Sequence, residues 1–524
     1  MSKKKSIILS AIVVIGVILG SKVLGFLRQV IIASSFGANF ETDIFFVSSE
    51  FMTGLSQALI SSLITALVTV YIDVTIKKSR REANSVASKM LVIFLLIGGG
   101  LVLLTNLFTP QLATLLAPSY SIEHRLELIR YLRFFSVAFI FTAIQSIFAA
   151  VLNANDSFAP NNYYGLLYNP LAILFVLLLG QKWGINALVL AFFVANTLQT
   201  FLLYLLSRKH FRFIPSFSLK DGHVRLLIHL SLPLLLSNVF IQLNVIIDKA
   251  ICSSLGEGAA SNYSYANTLE QFVTATITAT MSLILLSKYA TYVAKGDTPM
   301  VVKTFKNSIE GMVLLLAPIT AVVMVQATDI VEIVYLRGEF DQTAAAITAK
   351  ALIGFAPGLA LVAIREMYIR LHFSYQDTKN PMIASGVACL INGILSLILA
   401  RFIGVFGVSL ATSLSVILTI WLLNRSVKKY LPEFRLSCMA PFFCKAGIAA
   451  LVGGAAAFGA AYLLEGASVI LRFGAGTIAC CLVYLPMLYL LRCREWTDFI
   501  RELKGQLLAK LKKQGSEKQE EQTE

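Results

Sequence analysis

The chain of 524 residues is 57% hydrophobic and 14% charged, with a mean hydropathy of +0.76; a soluble globular protein is roughly 45–50% apolar and about 25% charged. The excess apolar surface must face lipid, and at about 20 residues per crossing plus a short loop no length remains for a soluble catalytic domain. The 44 basic and 29 acidic residues leave a net +15, but the basic residues sit in short loops with no nucleic-acid signature, the pattern of a positive-inside membrane protein.

Apolar runs predict fourteen spans, at 6–34, 43–74, 88–117, 126–153, 161–180, 184–207, 225–253, 258–292, 306–335, 343–373, 380–402, 404–424, 439–464 and 468–491. Several exceed 25 residues, which implies tilt or extension past the bilayer surface. The start, Lys3-Lys4-Lys5 before an apolar run from Ile7 to Gly20, has the flanks of a signal peptide. No small-residue cleavage site follows and the apolar stretch resumes at Val30-Ile31-Ile32, so a retained first span is predicted. Alternate loops are basic: Lys77-Lys78-Ser79-Arg80-Arg81, Arg208-Lys209, Lys288 to Lys306, Arg425 to Lys429, and the tail after Arg492. Both termini are therefore expected in the cytoplasm. The connection 118–133 breaks the pattern with Arg125, Arg130 and Arg133, for which local pairing with Glu123 and Glu127 is expected.

Two halves of the chain echo each other. Ser34-Ser35-Phe36-Gly37 leading to Asp43 matches Ser253-Ser254-Leu255-Gly256 leading to Asn262, an offset of 219; Asn155 to Pro160 matches Gln376 to Pro381 at 221, and Trp183-Gly184-Ile185 matches Phe406-Gly407-Val408 at 223. The slowly drifting offset reads as one duplication. It predicts an all-α membrane protein of two pseudo-symmetric six-helix lobes, 1–210 and 225–430, followed by two added helices in 437–492. Both halves start on one side of the membrane, an arrangement that suits alternating access. In the tail, 493–524, Trp496, Phe499, Ile500, Leu503, Leu507 and Leu511 fall on one helical face, which predicts an amphipathic helix on the inner leaflet before a disordered end. The seven cysteines show no CxxC and no framework spacing.

Ionisable residues inside spans cost at least about 2.5–3.5 kcal/mol each, so each calls for a partner or a function. The first span holds Lys22 and Arg28 with Gly20 and Gly25 thinning it; the second places Asp43, Glu50 and Gln57 on one face at steps of seven. The seventh has Gln242, Asn244, Asp248 and Lys249, the eighth Asn267 and Glu270, and the tenth Lys350, Arg365, Glu366 and Arg370. Interhelical ion pairs, such as Arg28 with Asp43, are one reading. For Lys22 a cavity-lining role is the reading taken, and a cationic cavity suits an anionic substrate. No enzyme constellation competes: the five histidines are scattered and no P-loop is present.

Gly20 to Arg28, Phe36-Gly37-Ala38 and Thr42 to Val47 resemble the opening of the MurJ (MviN-type) lipid II flippases, of the multidrug/oligosaccharidyl-lipid/polysaccharide exporter superfamily. Gln242-Leu243-Asn244 with Asp248, Tyr265-Ala266-Asn267, Leu336 to Phe340 and Asp377 to Pro381 continue the resemblance through twelve spans. It implies a transporter, not an enzyme, in the bacterial cytoplasmic membrane, carrying an undecaprenyl-diphosphate-linked saccharide in a cavity between two lobes; a monomer contacting membrane lipids and no nucleic acid is expected. Substrate-binding residues carried over are Lys22 (where the family usually has Arg), Gly25, Arg28, Asp43, Gln57, Asn244 and Thr268. Ser56-Gln57 and Thr268 stand where the family pattern has arginines, and the Pro-Asn of the second span is absent.

The resemblance further implies a possible cation site for Na+ or H+ as coupling ion, at Asp248, Asn392, Ser396, Val408 and Thr412, with Ser396 in place of a carboxylate; no other cofactor is implied. An outward-moving anion gains about 2.3 kcal/mol per charge per 100 mV, so membrane potential is the expected drive. Two alternatives stay open. One is a flippase for another undecaprenyl-diphosphate glycan of capsule, exopolysaccharide or O-antigen type, which the missing arginines favour. The other is a multidrug/cation antiporter of the same superfamily, against which the basic first span speaks.

Overall fold

A computed structural model describes residues 3–155, 157, 163–215 and 222–497. Its described residues form an all-α membrane protein. The helices are α1 (Lys3–Phe36), α2 (Phe40–Lys77), α3 (Arg80–Leu116), α4 (Ile122–Ser136), α5 (Ala138–Ala154), α6 (Tyr163–Trp183), α7 (Asn186–Ser207) and α8 (Gly222–Ser253). They continue as α9 (Ala259–Ala294), α10 (Thr298–Tyr335), α11 (Gln342–Phe355), α12 (Gly358–Ser374), α13 (Lys379–Val427), α14 (Ala440–Leu463) and α15 (Val469–Leu490).

Fifteen helices yield about fourteen crossings because three places do not obey one helix, one span. The pair α4–α5 is one crossing interrupted at Val137, and α11–α12 is one interrupted at Ala356-Pro357. Conversely α13 is two, broken where Ile403 (φ −132°, ψ 17°) and Gly404 (φ 60°, ψ −142°) leave helical geometry. Only glycine takes the second conformation without strain, so the sequence places the break at the boundary expected between 402 and 404. The connection 118–133 is not a loop: α4 occupies most of it, started by the Ser121 hydroxyl accepting from the His124 amide at 3.3 Å. There one Arg125 terminal nitrogen donates to the carbonyls of Pro118 and Tyr120, at 3.1 and 3.3 Å. The tail beyond Thr497 and most of the 155–160 segment lie outside the described residues.

By compactness the chain divides into two units. The first comprises Met1–Thr280, Val334–Phe355 and Lys379–Thr419. Its apolar core packs Leu67, Val70 and Val74 of α2 on Ala87 and Met90 of α3 and Ile147 and Val151 of α5. Small residues let other helices touch: a Cβ on Gly165 of α6 would overlap the Ser21 hydroxyl of α1, and one on Gly54 of α2 would come within 2.9 Å of Gln242 of α8.

At one end of this unit three turns are knitted by main-chain atoms. The Glu339 amide donates to the Ser34 carbonyl at 3.0 Å. Gly338 (φ +61°) lies so close that a Cβ would sit 2.1 Å from the same carbonyl oxygen, and a Cβ on Gly258 (φ +74°) would sit 2.4 Å from that of Ala38.

The second unit comprises Met281–Ile333, Ala356–Thr378 and Ile420–Glu524. In it, Ala321 and Val322 of α10 pack on Ala457 of α14 and Cys480 of α15. Arg472 of α15 pairs with Asp329, and with Glu332 at 3.8 Å. Glu366 of α12 answers both Arg365 and Arg370, at 3.2 and 3.5 Å, one carboxylate shared by two guanidinium groups.

Candidate functional site

The sites below lie wholly within the first unit. A cavity of about 320 Å³ is lined by Lys22, Gly25, Arg28 and Gln29 of α1, Glu50 of α2, Asn169 of α6, and Asn267, Thr268 and Gln271 of α9. It falls in the range of small-ligand pockets, roughly 300–1,000 Å³. Gly25 allows the wall to form: Asn169 comes so near that a Cβ there would lie 3.3 Å from its amide nitrogen, and that amide donates to the Ser21 carbonyl at 3.0 Å. Lys22 is exposed on the cavity. The Arg28 guanidinium lies over the Tyr168 ring, 4.9 Å from its centre, and its Nε is buried with no hydrogen-bond partner. Two cations against one carboxylate give the lining a net positive charge. Such a site can replace the hydration of an anion, because charges attract several-fold more strongly near a protein interior than in water.

Glu50 is the carboxylate, and it answers a cation behind the wall. Lys249 of α8, only 2% exposed, forms an ion pair with Glu50 and points its ammonium over the Phe46 ring at 5.6 Å from the centre. This pair did not emerge from the sequence as a site. Its only signal was Glu50 falling on the Asp43–Gln57 face and Lys249 following Asp248.

Asp43 is not on this cavity. It is fully buried and accepts from the amide and hydroxyl of Ser261, at 2.6 and 2.5 Å, in the first turn of α9. A carboxylate there satisfies an otherwise orphaned donor and complements the helix dipole. Asp43 therefore serves α9 rather than Arg28.

Gln57 lies two turns along α2 from Glu50 and opens on a second, adjoining chamber of about 200 Å³ among α2, α5, α6 and α7. Of the substrate residues carried over, the structure thus brings together Lys22, Gly25, Arg28 and Thr268, while Gln57, Asp43 and Asn244 lie elsewhere.

Asn244 belongs to the third constellation. Asn392 of α13 donates to Asn244 at 2.6 Å and to Asp248 at 2.8 Å; Ser396 and Thr412 donate to Asp248 at 2.8 and 2.9 Å. Thr412 also donates to the Val408 carbonyl at 3.2 Å, and Tyr263 of α9 adds a fourth donor to Asp248 at 3.0 Å. All five residues expected from sequence are neighbours, and Tyr263, which spacing could not reveal, completes the set. Its chemistry fits a small hard cation: one buried carboxylate, hydroxyl and carbonyl oxygens, and the Asn392 Oδ1, which is buried with no partner. Among the described residues no group of three or more His, Cys, Asp or Glu side chains could hold a metal.

The comparisons with known proteins agree with this picture. The family model described as lipid II flippase MurJ matches residues 32–474. A probable lipid II flippase MurJ of Rickettsia prowazekii is 26% identical over 401 residues, covering 75% of this chain and 78% of the relative. One of Bdellovibrio bacteriovorus is 24% identical over 448 residues, covering 83% and 85%. Among solved structures, a lipid II flippase MurJ in an inward closed conformation superposes with a TM-score of 0.78 at 23% identity, covering 94% of this chain and all of that one. An inward-facing multidrug resistance MATE family transporter of the MOP superfamily gives 0.68 at 14% identity, covering 79% and 96%. The long match of the family model, over residues 32–474 and so across the Asp248 cluster, places this multi-pass membrane chain in the lipid II flippase MurJ family.

Proposed function

We propose that the protein carries lipid II, the undecaprenyl-diphosphate-linked peptidoglycan precursor, from the inner to the outer leaflet of the bacterial cytoplasmic membrane by alternating access. The observation that carries this reading is the cavity holding Lys22 and Arg28 inside a bundle of spanning helices. A diphosphate of about −2 charge cannot cross hydrocarbon unpaired, since an isolated ion costs tens of kcal/mol by Born estimates. Lys22 and Arg28 supply the counter-charge, and the prenyl chain stays in lipid. Basic loops hold both termini on the cytoplasmic side, so an anion leaves down the membrane potential. The protein works as a monomer of two six-helix lobes with two added helices. Asp248, Asn392, Ser396, Val408 and Thr412 would hold Na+ or H+, whose charge neutralises the Asp248 carboxylate.

The test is translocation of lipid II by the purified protein in liposomes. Lys22→Ala with Arg28→Ala is expected to abolish it; full translocation by that variant overturns the cationic-cavity reading. A second reading, a flippase for another undecaprenyl-diphosphate glycan, is favoured by Ser56 and Thr268 standing where the family pattern has arginines. Rescue of a strain depleted of its lipid II flippase decides between them: failure to rescue, with loss of capsule on deletion, selects the second.

A further inference from the structure

The chamber beside the cationic cavity has a chemistry of its own. Its lining sets hydroxyls and amides, among them Ser56, Gln57, Thr142, Gln145 and Asn196, beside apolar side chains such as Ile60 and Leu203, and contains no Lys, Arg, His, Asp or Glu. Polar side chains facing one another inside a membrane bundle are expensive unless each finds a partner, and most here do. Gln145 donates to Thr200 at 3.0 Å, and Asn196 to the Tyr164 hydroxyl at 3.2 Å.

Ser56 is different. Along the same helix Ser48, Thr53, Ser61 and Ser62 each donate to the carbonyl four residues back, at 2.6 to 2.9 Å. The Ser56 hydroxyl, in a side chain 4% exposed, has no hydrogen-bond partner and lines the chamber. A local carbonyl was within its repertoire, so its orientation leaves a donor and an acceptor for something that enters.

The chamber is also coupled in space to the anion site. Arg28 stacks on Tyr168, Tyr168 stacks on Tyr164 with ring centres 5.6 Å apart and planes 12° apart, and Tyr164 walls the chamber. Glu50 and Gln57 run along one face of α2 from the first space to the second.

We propose that this chamber is a saccharide subsite: it takes an uncharged sugar ring of the lipid-linked glycan while Lys22 and Arg28 hold the diphosphate. Neutral donors and acceptors match hydroxyl and N-acetyl groups, and Tyr164 and Phe192 add aromatic surface to the lining for the apolar side of a pyranose. About 200 Å³ accommodates one such ring, on the order of six water volumes. A peptide bearing carboxylates would find no cation here. The inference rests on the reading that the substrate is a lipid-linked diphosphate saccharide, and it makes the neutral Ser56–Gln57 a choice of contact rather than a lost arginine.

The experiment compares the affinity of the purified full chain in nanodiscs for two probes, lipid II and undecaprenyl diphosphate without sugar. Ser56→Ala with Thr142→Val removes two hydroxyls with little change of shape, and is expected to weaken lipid II binding about tenfold, the sum of two modest hydrogen bonds, while leaving undecaprenyl diphosphate unchanged. Lys22→Ala with Arg28→Ala is expected to weaken both probes. Unchanged lipid II binding by the hydroxyl variant, or equal weakening of both probes, overturns the saccharide subsite. Unchanged binding of both probes by the Lys22/Arg28 variant overturns the underlying reading instead. The single Ser56→Ala variant, which removes one oxygen, keeps the comparison open should the double variant not fold.

Discussion

Lys249 and Glu50, 199 positions apart in the chain, form an ion pair in which the lysine is 2% exposed and the glutamate reaches the cavity. A buried cation with one partner is a hostage to that partner. Glu50→Gln is expected to lower unfolding free energy by about 3 kcal/mol, the cost of stranding a buried charge. The double variant Glu50→Gln with Lys249→Met is expected to recover most of the loss. Chemical denaturation in detergent measures both, and equal stability of the two variants would refute the pairing energy.

The Asp248 cluster leads to a ligand prediction. If Na+ is held there, sodium in place of choline raises the melting temperature of the unaltered chain, with about 2.7 kcal/mol gained at a hundredfold excess over Kd. Asp248→Ala is expected to melt identically in the two salts. A sodium shift surviving in that variant locates the ion elsewhere.

Outside the membrane, Arg80 donates to His210 Nδ1 at 2.5 Å and to its carbonyl at 3.3 Å. An arginine only donates, so Nδ1 accepts and the neutral ring carries its proton on Nε2. Partial burial, with Arg80 and Lys209 nearby, pushes the histidine below its ordinary 6.5. The folded chain thus resists a proton that the unfolded chain accepts. The contribution is intact above pH 6.5 and is lost as pH falls from there through the lowered value. Melting temperature measured from pH 7.5 to 5 should decline, and His210→Gln should flatten that part of the decline.

Gly338→Ala would place a methyl against the Ser34 carbonyl at a backbone angle of +61°. The left-handed conformation alone costs roughly 1–2 kcal/mol for an L side chain, and the overlap adds to it. A drop of several degrees in melting temperature is expected. Gly99→Ala, where a Cβ meets nothing within 4 Å, is the control and should leave it unchanged.

Much of the fold could be read from the sequence because lipid imposes one requirement everywhere: long apolar runs with their polar backbone satisfied internally. The expected runs 439–464 and 468–491 differ by a residue at each end from α14 and α15. The segment around 118–133 misled because α4 carries the charge density of a loop, yet a helix that is partly polar still forms when Ser121 caps it. The site divides by the same logic. Lys22 and Arg28 stood out because a charge in an apolar run is costly wherever it sits. The roles of Asp43 and Lys249 did not, because whether a buried charge meets a helix end, a carboxylate or a cavity depends on contacts about 200 residues away.

The seam of main-chain contacts at Ser34, Ala38, Gly258 and Gly338 has a consequence for the working cycle. There the backbones approach so closely that Gly258 and Gly338 admit no side chain without displacing the Ala38 or Ser34 carbonyl. Parting these turns would therefore mean separating main-chain atoms together with the Asp43–Ser261 and Tyr265–Gly37 side-chain bonds.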